Sequence, residues 1–501
     1  MTNPSQVFAA ELLANLVASG VRDFYLAPGA RSQALAIALS QLADAEKISL
    51  TVRLDERSLG FTALGRALAT GSATAIVTTS GTAVANLMPA VLEAHHAGVP
   101  LLILSSDRPA RLRGTGANQT TYQQNLFGPA APCLDVPAAT RDFQPDALGL
   151  ASEALRLMFS GPRPSPVQLN LQFEEPLSAK APNAAELLAQ CEAKEPVFQH
   201  AVQSTEVEID AHTVVIAGAG AGPKAQAFAE QANIPLFAEP SSGARFGKQL
   251  VTNYPQLLNT ELQDQVRKVV VFGKPSLSRS VMKTLKTSEL VVLRSNYESF
   301  NVFGNAKLTV DQVVPVGKAP DSWLASWDRQ SEQDLRAPLV SAVWDSITDQ
   351  ALLFGASDLI RVAEGCVGPK DLTVFSNRGL AGIDGTISTA IGIAQSGLRV
   401  RALLGDLTLI HEISGLNLTG LGDLQVQLIV GNDNGGHIFD RLEMREHVST
   451  AWFEKLFTTS QELDLKSVVT GFGWNYQVVR SIAELENAMQ LSGAVVIDYQ
   501  L

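Results

Sequence analysis

At 501 residues, 46% hydrophobic and 18% charged, the chain has enough apolar material for roughly three packed domains of about 150 residues each. Its 38 basic against 50 acidic residues leave a net charge of −12, which argues against general affinity for nucleic acid or anionic membranes and requires that any anionic substrate be met by locally concentrated arginines. Cys133, Cys191 and Cys366 form no CxxC pair, residues 1–10 lack a signal-peptide pattern, and no apolar run approaches the ~20 residues of a membrane span, so a soluble, reducing, cytoplasmic setting is expected.

Strand-like runs alternate with helical segments throughout, which predicts α/β architecture with parallel sheets. In the first third, Phe24–Ala27 runs into Pro28-Gly29, with Arg31 and Ser32 just beyond. A helix opens near Arg53, and on helical spacing Glu56 shares a face with Leu59, Gly60, Ala63 and Ala67, whereas Asp55 and Ser58 point elsewhere. Burying a glutamate there is costly unless it is paired or protonated. It reads either as half of a buried ion pair with an arginine or as a carboxyl tuned for proton relay to a bound heterocycle. Ala75–Thr78 precedes Thr79-Ser80-Gly81, which offers hydroxyls and N–H groups at a helix N-terminus or simply caps it. Pro100–Leu104 leads to Ser105-Ser106-Asp107-Arg108, and Gly116-Ala117-Asn118-Gln119 places carboxamides in a further loop.

Composition breaks after Glu175, and residues 176–204 read as a linker with a short helix near 185–190. A second α/β block from Thr213 to about Val314 opens on Val214-Val215-Ile216 followed by Gly218-Ala219-Gly220-Ala221-Gly222-Pro223. Those glycines could cradle a pyrophosphate, but Glu239 is only a loose match to the acidic residue such a motif needs, and a turn packing helix on strand is the preferred reading. A polar stretch, 317–338, leads into the last block. Domain boundaries are expected at 1–180, 205–320 and 340–501, the first and last being alike in plan.

In the last block, Gly405-Asp406-Leu407-Thr408 ends the apolar run Val400–Leu404, and Val430-Gly431-Asn432-Asp433-Asn434-Gly435-Gly436 ends the run Val426–Val430. Asp406 and Asn434 are 434 − 406 = 28 positions apart, enough for a strand, a crossover helix and a second strand. Adjacent parallel strands would deliver a carboxylate and a carboxamide to one sheet edge, and such hard oxygens suit Mg²⁺ and a diphosphate, not zinc. His437, just past this turn, is the one histidine retained as a site candidate. Arg31, Arg108, Arg361 and Arg378 recur at predicted sheet edges. Singly each reads as a surface residue or a salt bridge; together they suggest a multiply anionic substrate held by bidentate contacts.

On Ala27-Pro28-Gly29-Ala30-Arg31-Ser32, Asp55-Glu56-Arg57, Thr79 to Asn86, Arg108-Pro109, Gly116 to Gln119, Ser376-Asn377-Arg378-Gly379, Gly382-Ile383-Asp384-Gly385 and the two segments around Asp406 and Asn434, the chain resembles the thiamine diphosphate-dependent enzymes. Among them it is similar to the family of 2-succinyl-5-enolpyruvyl-6-hydroxy-3-cyclohexene-1-carboxylate (SEPHCHC) synthases of menaquinone biosynthesis. The resemblance implies three Rossmann-like domains, binding the pyrimidine (first) and the diphosphate (last), with a non-catalytic central one. It implies thiamine diphosphate with Mg²⁺ or Mn²⁺ as cofactors, the metal held by Asp406, Asn434 and Gly436. Cofactor contacts would come from Glu56, Thr79, Ser80, Gly81, Ile383, Gly405, Leu407 and Ile438, with Glu56, from the partner subunit of a homodimer or dimer of dimers, as the catalytic acid–base. The implied reaction, a transferase reaction, decarboxylates 2-oxoglutarate and adds the resulting carbanion equivalent to isochorismate. Arg31, Ser32, Arg108, Asn118, Gln119, Arg279, Ser357, Arg361 and Arg378 would bind substrate. The chain departs from the family pattern at Ala30, where serine is usual, at Ala110, where an acidic residue is common, and at Asp358, an added charge beside Ser357. Those departures leave open a different 2-oxo acid decarboxylase or carboligase, and a cofactor-binding paralogue without catalysis is a third reading.

Overall fold

The structure, a computed structural model, describes residues 3–178, 182–191, 202–330, 334–440 and 442–501. The chain divides into two compact units, the first comprising residues 1–200, 388–397 and 417–423, the second 201–387, 398–416 and 424–501.

The first unit is built on β1 (Asp23–Leu26), β2 (Ser49–Val52), β3 (Thr74–Thr78), β4 (Leu101–Asp107), β5 (Cys133–Val136) and β6 (Val167–Gln172), a wholly parallel sheet in the order β2-β1-β3-β4-β6-β5. β3, β4 and β6 are buried along their whole length, as a parallel sheet covered on both faces requires. Helix Pro4–Ala18 starts where Asn3 accepts the Ser5 N–H and proline fills the first turn, and its Phe8, Leu12 and Leu16 pack with Leu35 and Leu39 of helix Gln33–Asp44.

Helix Glu56–Thr70 begins at Asp55, which caps the N–H groups of Arg57 and Ser58. Its small-residue face lies against residues 388–397. A Cβ on Gly65 would come within 2.2 Å of the Thr389 carbonyl oxygen, and one on Gly392 within 2.0 Å of the Thr62 carbonyl oxygen, so glycine is required on both sides.

The second unit holds β7 (Ser204–Glu208), β8 (Thr213–Ala217), β9 (Leu236–Ala238), β10 (Lys268–Phe272), β11 (Glu289–Leu293), β12 (Ala306–Val310) and β13 (Gln312–Val316), of which β12-β11-β10-β8-β9 form one parallel sheet and β13-β7 a two-stranded one. β14 (Ala351–Phe354), β15 (Val374–Ser376), β16 (Val400–Gly405), β17 (Val426–Asn432), β18 (Asn475–Val479) and β19 (Ala494–Gln500) form a further parallel sheet in the order β15-β14-β16-β17-β19-β18. Counted from its own first strand, this sheet has the same strand order as that of the first unit. In both, the chain reverses direction of travel across the sheet after its second strand. The switch points therefore lie between β1 and β3 and between β14 and β16, where open α/β sheets place ligands.

The short helix expected near 185–190 spans Ala184–Leu188, and 179–181 and 192–201 of the expected linker lie outside the described residues. The stretch 317–338, read from sequence as a polar connector, instead carries helix Asp321–Ala325, with Trp323 and Trp327 buried in the central core. Trp323 lies on this helix and Trp327 in the turn that follows it, an apolar pair that the surrounding polar residues masked in the sequence. Among the described residues, no helix is long and apolar enough to cross a membrane.

Candidate active site

Parallel pairing of β16 with β17 sets Gly405 opposite Gly431, so the two motif halves leave the sheet side by side. Asp406, only 5% exposed, starts the helix Asp406–His411 and accepts a hydrogen bond from the N–H of Leu407 (2.8 Å). The aspartate of one half thus lies within electrostatic reach of the turn of the other. Burial pushes its carboxyl up to about 6, the nearby charge of Asp433 adds to this, and the neighbouring backbone N–H groups oppose it.

The turn itself is tightly specified. Asn432 Oδ1 accepts the Asn434 N–H (3.0 Å), Asn434 has φ of 58°, Gly435 has φ of 144°, and the Gly436 N–H donates to the Thr458 carbonyl (2.7 Å). A Cβ on Gly435 would lie 2.5 Å from the Thr458 carbonyl oxygen, and one on Gly436 2.5 Å from that of Phe457. A buried carboxylate lacking a full counter-charge, beside a carboxamide and a carbonyl held at a glycine turn, is a donor set that fits Mg²⁺. His437 is engaged by Asp440 (Nδ1 to Oδ2, 2.7 Å).

In the same unit, a cavity of about 580 Å³ is lined by Arg279, Asp358, Arg361, Ile438, Phe439 and Leu442, among others. Ser357 caps helix Asp358–Cys366 by accepting the Leu359 N–H (3.2 Å), and exposed Arg361 donates back to the Ser357 carbonyl (3.0 Å). Arg279 is exposed and lies 3.5 Å from Glu443. Asp358, the unexpected charge, is paired with Arg336 at 2.6 Å.

Arg378 differs from the expectation of a solvated loop arginine. It is 2% exposed, with Nε 3.1 Å from Ser276 Oγ and Nη2 3.2 Å from the Ser276 carbonyl. Beside it, buried Glu239 accepts the N–H groups of Ser276 (2.5 Å) and Leu277 (2.9 Å), and buried Glu364 accepts the Tyr254 hydroxyl (2.7 Å). Burial raises both carboxyls; the Arg378 charge opposes the effect at Glu239, and the Glu239 charge adds to it at Glu364. Two residues escaped the sequence reading. Lys274, directly after β10, donates to the Gly379 carbonyl (2.6 Å), and its place at a strand's C-terminal end was the available signal. Arg336 gave no local signal at all.

The Gly218–Gly222 turn is not a dinucleotide cradle. The N–H groups of Gly218, Ala219, Ala221 and Gly222 go to the carbonyls of Phe272, Lys274, Gly218 and Ser242, and a Cβ on Gly218 would lie 2.1 Å from the Pro275 nitrogen. Glu239 is turned inward to Ser276 and Leu277.

In the first unit, the loops at the β1–β3 switch point are held against each other. A Cβ on Gly29 would fall 2.3 Å from Thr79 Cβ, which fixes the Pro28-Gly29 turn on the Thr79-Ser80-Gly81 turn. Arg108 Nη1 donates to Ser80 Oγ (2.5 Å) and the Gln119 carbonyl (2.5 Å), Gln119 Nε2 to the Ser80 carbonyl (3.0 Å), and the Gly81 N–H to Gln123 Oε1 (3.0 Å). Arg31 donates to the Phe173 carbonyl (3.1 Å) and lies 3.5 Å from Glu175. Burial lowers the Arg108 guanidinium and the charge of Arg31 lowers it further, so two cations crowd one place, as an anion site does. Ser32 is buried and donates to the Gly29 carbonyl (3.0 Å), whereas Asn118 is exposed and outside this network.

Glu56 corrects the helical-face argument. It is half-exposed, accepts the Asn86 Nδ2 (3.4 Å) rather than an arginine, and the buried face begins at Ser58, which was expected to point away. As the first residue of its helix, Glu56 stands one turn ahead of the packed segment, so the face argument holds from Leu59 onward only.

Residues 7–127 match the family described as "Thiamine pyrophosphate enzyme, N-terminal TPP binding domain". Along all of its length the chain is 40% identical to the 2-succinyl-5-enolpyruvyl-6-hydroxy-3-cyclohexene-1-carboxylate synthase of Leifsonia xyli subsp. xyli (strain CTCB07), covering 97% of that protein. The chain belongs to the SEPHCHC synthase family. The synthase of Arthrobacter sp. (strain FB24) is likewise 40% identical, over 95% of this chain and 85% of its own. Among solved structures, benzoylformate decarboxylase from Polynucleobacter necessarius superposes with a TM-score of 0.69 over 99% of this chain and 98% of its own at 16% identity, a likeness of fold. Membership makes the chain a thiamine diphosphate-dependent enzyme.

Proposed function

We propose that this enzyme decarboxylates 2-oxoglutarate and adds the remaining four-carbon fragment to isochorismate, giving SEPHCHC and CO₂ for menaquinone biosynthesis in the cytoplasm. The parallel register that sets Gly405 opposite Gly431 supports the reading, because it brings Asp406 and the Asn434 turn to one sheet edge, as the two halves of a Mg²⁺-diphosphate site require. When bound, thiamine diphosphate supplies the electron sink for loss of CO₂ from a 2-oxo acid.

The chain's own groups divide the remaining work. Asp406, Asn434 and the Gly436 carbonyl would hold Mg²⁺ or Mn²⁺, with the Gly405 and Leu407 backbone and Ile438 alongside. Thr79, Ser80 and Gly81 would meet the pyrimidine, Ile383 would prop the cofactor, and Glu56 of a second copy in a homodimer or dimer of dimers would hold the proton at the pyrimidine ring. Both substrates carry two carboxylates, which suits Arg31, Arg108, Arg279 and Arg361 as direct partners, with Ser32, Asn118, Gln119, Ser357 and buried Arg378 completing or supporting the pocket. The charge of Asp358, which favoured a different 2-oxo acid, is cancelled by Arg336 and no longer does so.

The test is incubation with thiamine diphosphate, Mg²⁺ and 2-oxoglutarate, with and without isochorismate. CO₂ release dependent on 2-oxoglutarate together with isochorismate consumption is expected; turnover of pyruvate alone would point to another carboligase. Mixing Glu56→Gln and Asp406→Asn proteins after subunit exchange tests the shared site. It should restore roughly a quarter of native sites if two copies share each one, and none if each copy is self-sufficient.

A further inference from the structure

Arg336 is the residue immediately before helix Ala337–Asp345, and its backbone N–H donates to Asp334 Oδ1 (2.9 Å). Its guanidinium is divided between two carboxylates. Nη1 lies 2.6 Å from Asp358 Oδ2, and Nη2 lies 2.7 Å from Asp433 Oδ2. The three side chains are only 18%, 17% and 23% exposed. In such surroundings a planar fork holds two carboxylates in fixed directions, which a single ammonium cannot do, and removing it strands both charges.

The two carboxylates belong to different parts of the site. Asp433 lies in the turn between Asn432, anchored through Nδ2 to Asp498 Oδ1 (3.0 Å), and Asn434 with its positive φ. Asp358 lines the 580 Å³ cavity with Arg279 and Arg361, where a bare negative charge would repel a dicarboxylate. Asp358 is also the charge that is unexpected from sequence beside Ser357, and Arg336 answers it.

We propose that Arg336 is a positioning residue with two separable duties: through Asp433 it fixes the turn that presents Asn434 and Gly436 to the metal-diphosphate, and through Asp358 it cancels a charge facing the anionic substrate. This rests on the reading of the 432–436 turn as a Mg²⁺-diphosphate site.

The separation makes the proposal testable in the full-length enzyme. Thiamine diphosphate affinity at fixed Mg²⁺ is read by equilibrium dialysis, 2-oxoglutarate KM and kcat by steady-state kinetics at saturating cofactor, and folding by circular dichroism. Arg336→Ala should weaken cofactor binding about tenfold and raise KM about five- to tenfold, with kcat at saturation within about threefold. Adding Asp358→Asn should return KM to near the wild-type value while cofactor binding stays weak, a split that general loosening of the fold would not produce. Arg336→Lys should fall between wild type and Arg336→Ala. A folded Arg336→Ala protein with cofactor affinity and KM both within twofold of wild type, or a double variant whose KM stays as high as the single, would overturn the proposal. Should Arg336→Ala not fold, Asp433→Asn alone must weaken cofactor binding without raising KM; unchanged binding overturns the turn-fixing duty. Asp406→Asn is the control. If it leaves cofactor affinity intact, the metal-site reading itself falls; if it abolishes binding while Arg336 variants do not alter it, only the positioning role falls.

Discussion

The second unit carries two glycine turns at the C-terminal ends of parallel strands, and they use their polar groups in opposite ways. The 218–222 turn directs four N–H groups to backbone carbonyls of its own neighbourhood and packs so closely that a Cβ at Gly218 or Gly220 would collide with Pro275 or Tyr297. The 432–436 turn is just as tightly specified, but it lies beside the buried Asp406 carboxylate, and the Gly436 carbonyl accepts only the Phe439 N–H (3.1 Å), so on the proposed reading a lone pair and the Asn434 carboxamide remain for a metal. Both look alike as glycine spacing. On the proposed reading, the difference lies in whether a turn sits beside a buried carboxylate with side-chain oxygen left over.

The largest effect that tests this contrast is expected from Asp406→Asn. Losing the charged ligand should lower kcat/KM about a hundred- to thousandfold and abolish Mg²⁺-dependent binding of thiamine diphosphate, measured by titration and initial rates. If activity survives at wild-type Mg²⁺ dependence, the distinction between the turns collapses.

Matched glycine substitutions come next. Gly220→Ala forces φ of 75° and a Cβ 2.6 Å from the Tyr297 ring, and Gly435→Ala forces φ of 144° and a Cβ 2.5 Å from the Thr458 carbonyl oxygen. Each should lose about 1–3 kcal/mol of stability in denaturant unfolding, but only the second should also weaken cofactor binding. Equal losses of cofactor affinity would mean that the central turn has a ligand role after all.

Arg361→Ala should raise the KM for 2-oxoglutarate about tenfold and leave cofactor affinity unchanged, since this exposed arginine lines the cavity and donates a hydrogen bond to the Ser357 carbonyl. An unaltered KM and kcat would remove Arg361 from the substrate contacts.

The smallest effect is a pH dependence set behind the central turn. Burial raises the Glu239 and Glu364 carboxyls above the ordinary 4.5. A raised carboxyl stabilises the fold fully below its unfolded value and loses that contribution as pH climbs through the folded value. Thermal stability should therefore fall by on the order of a few degrees between pH 4.5 and about 8, and Glu239→Gln should flatten that slope in a series of melting curves.

What the sequence revealed about this site follows the range of the interactions. Asp406 and Asn434 were readable because each ends an apolar strand, and adjacency of those two strands needed only a crossover of ordinary length; the Gly405–Gly431 register bears that out. Glu56 was found for a reason that the structure revises, since periodicity places a residue on a face but not along the length of that face that is packed. Arg378 looked like a loop arginine because its partner Ser276 lies 102 positions away, beyond any local pattern. Arg336 sits in a polar stretch with partners 22 and 97 positions distant, beyond any local pattern.

The close fit of Gly65 and Gly392 has a bearing on how the protein is made. The first unit takes in segments 388–397 and 417–423, which the ribosome produces long after β1 to β6. Until they arrive, Arg53 lacks the Asn417 carbonyl, and Tyr25 and Thr51 lack the Gln395 carboxamide that joins them at 2.6 and 3.0 Å. The nascent N-terminal portion must therefore wait, with the small-residue face of helix Glu56–Thr70 uncovered, through the synthesis of some two hundred further residues. The first unit is completed only after residues 201–387 of the second have been made.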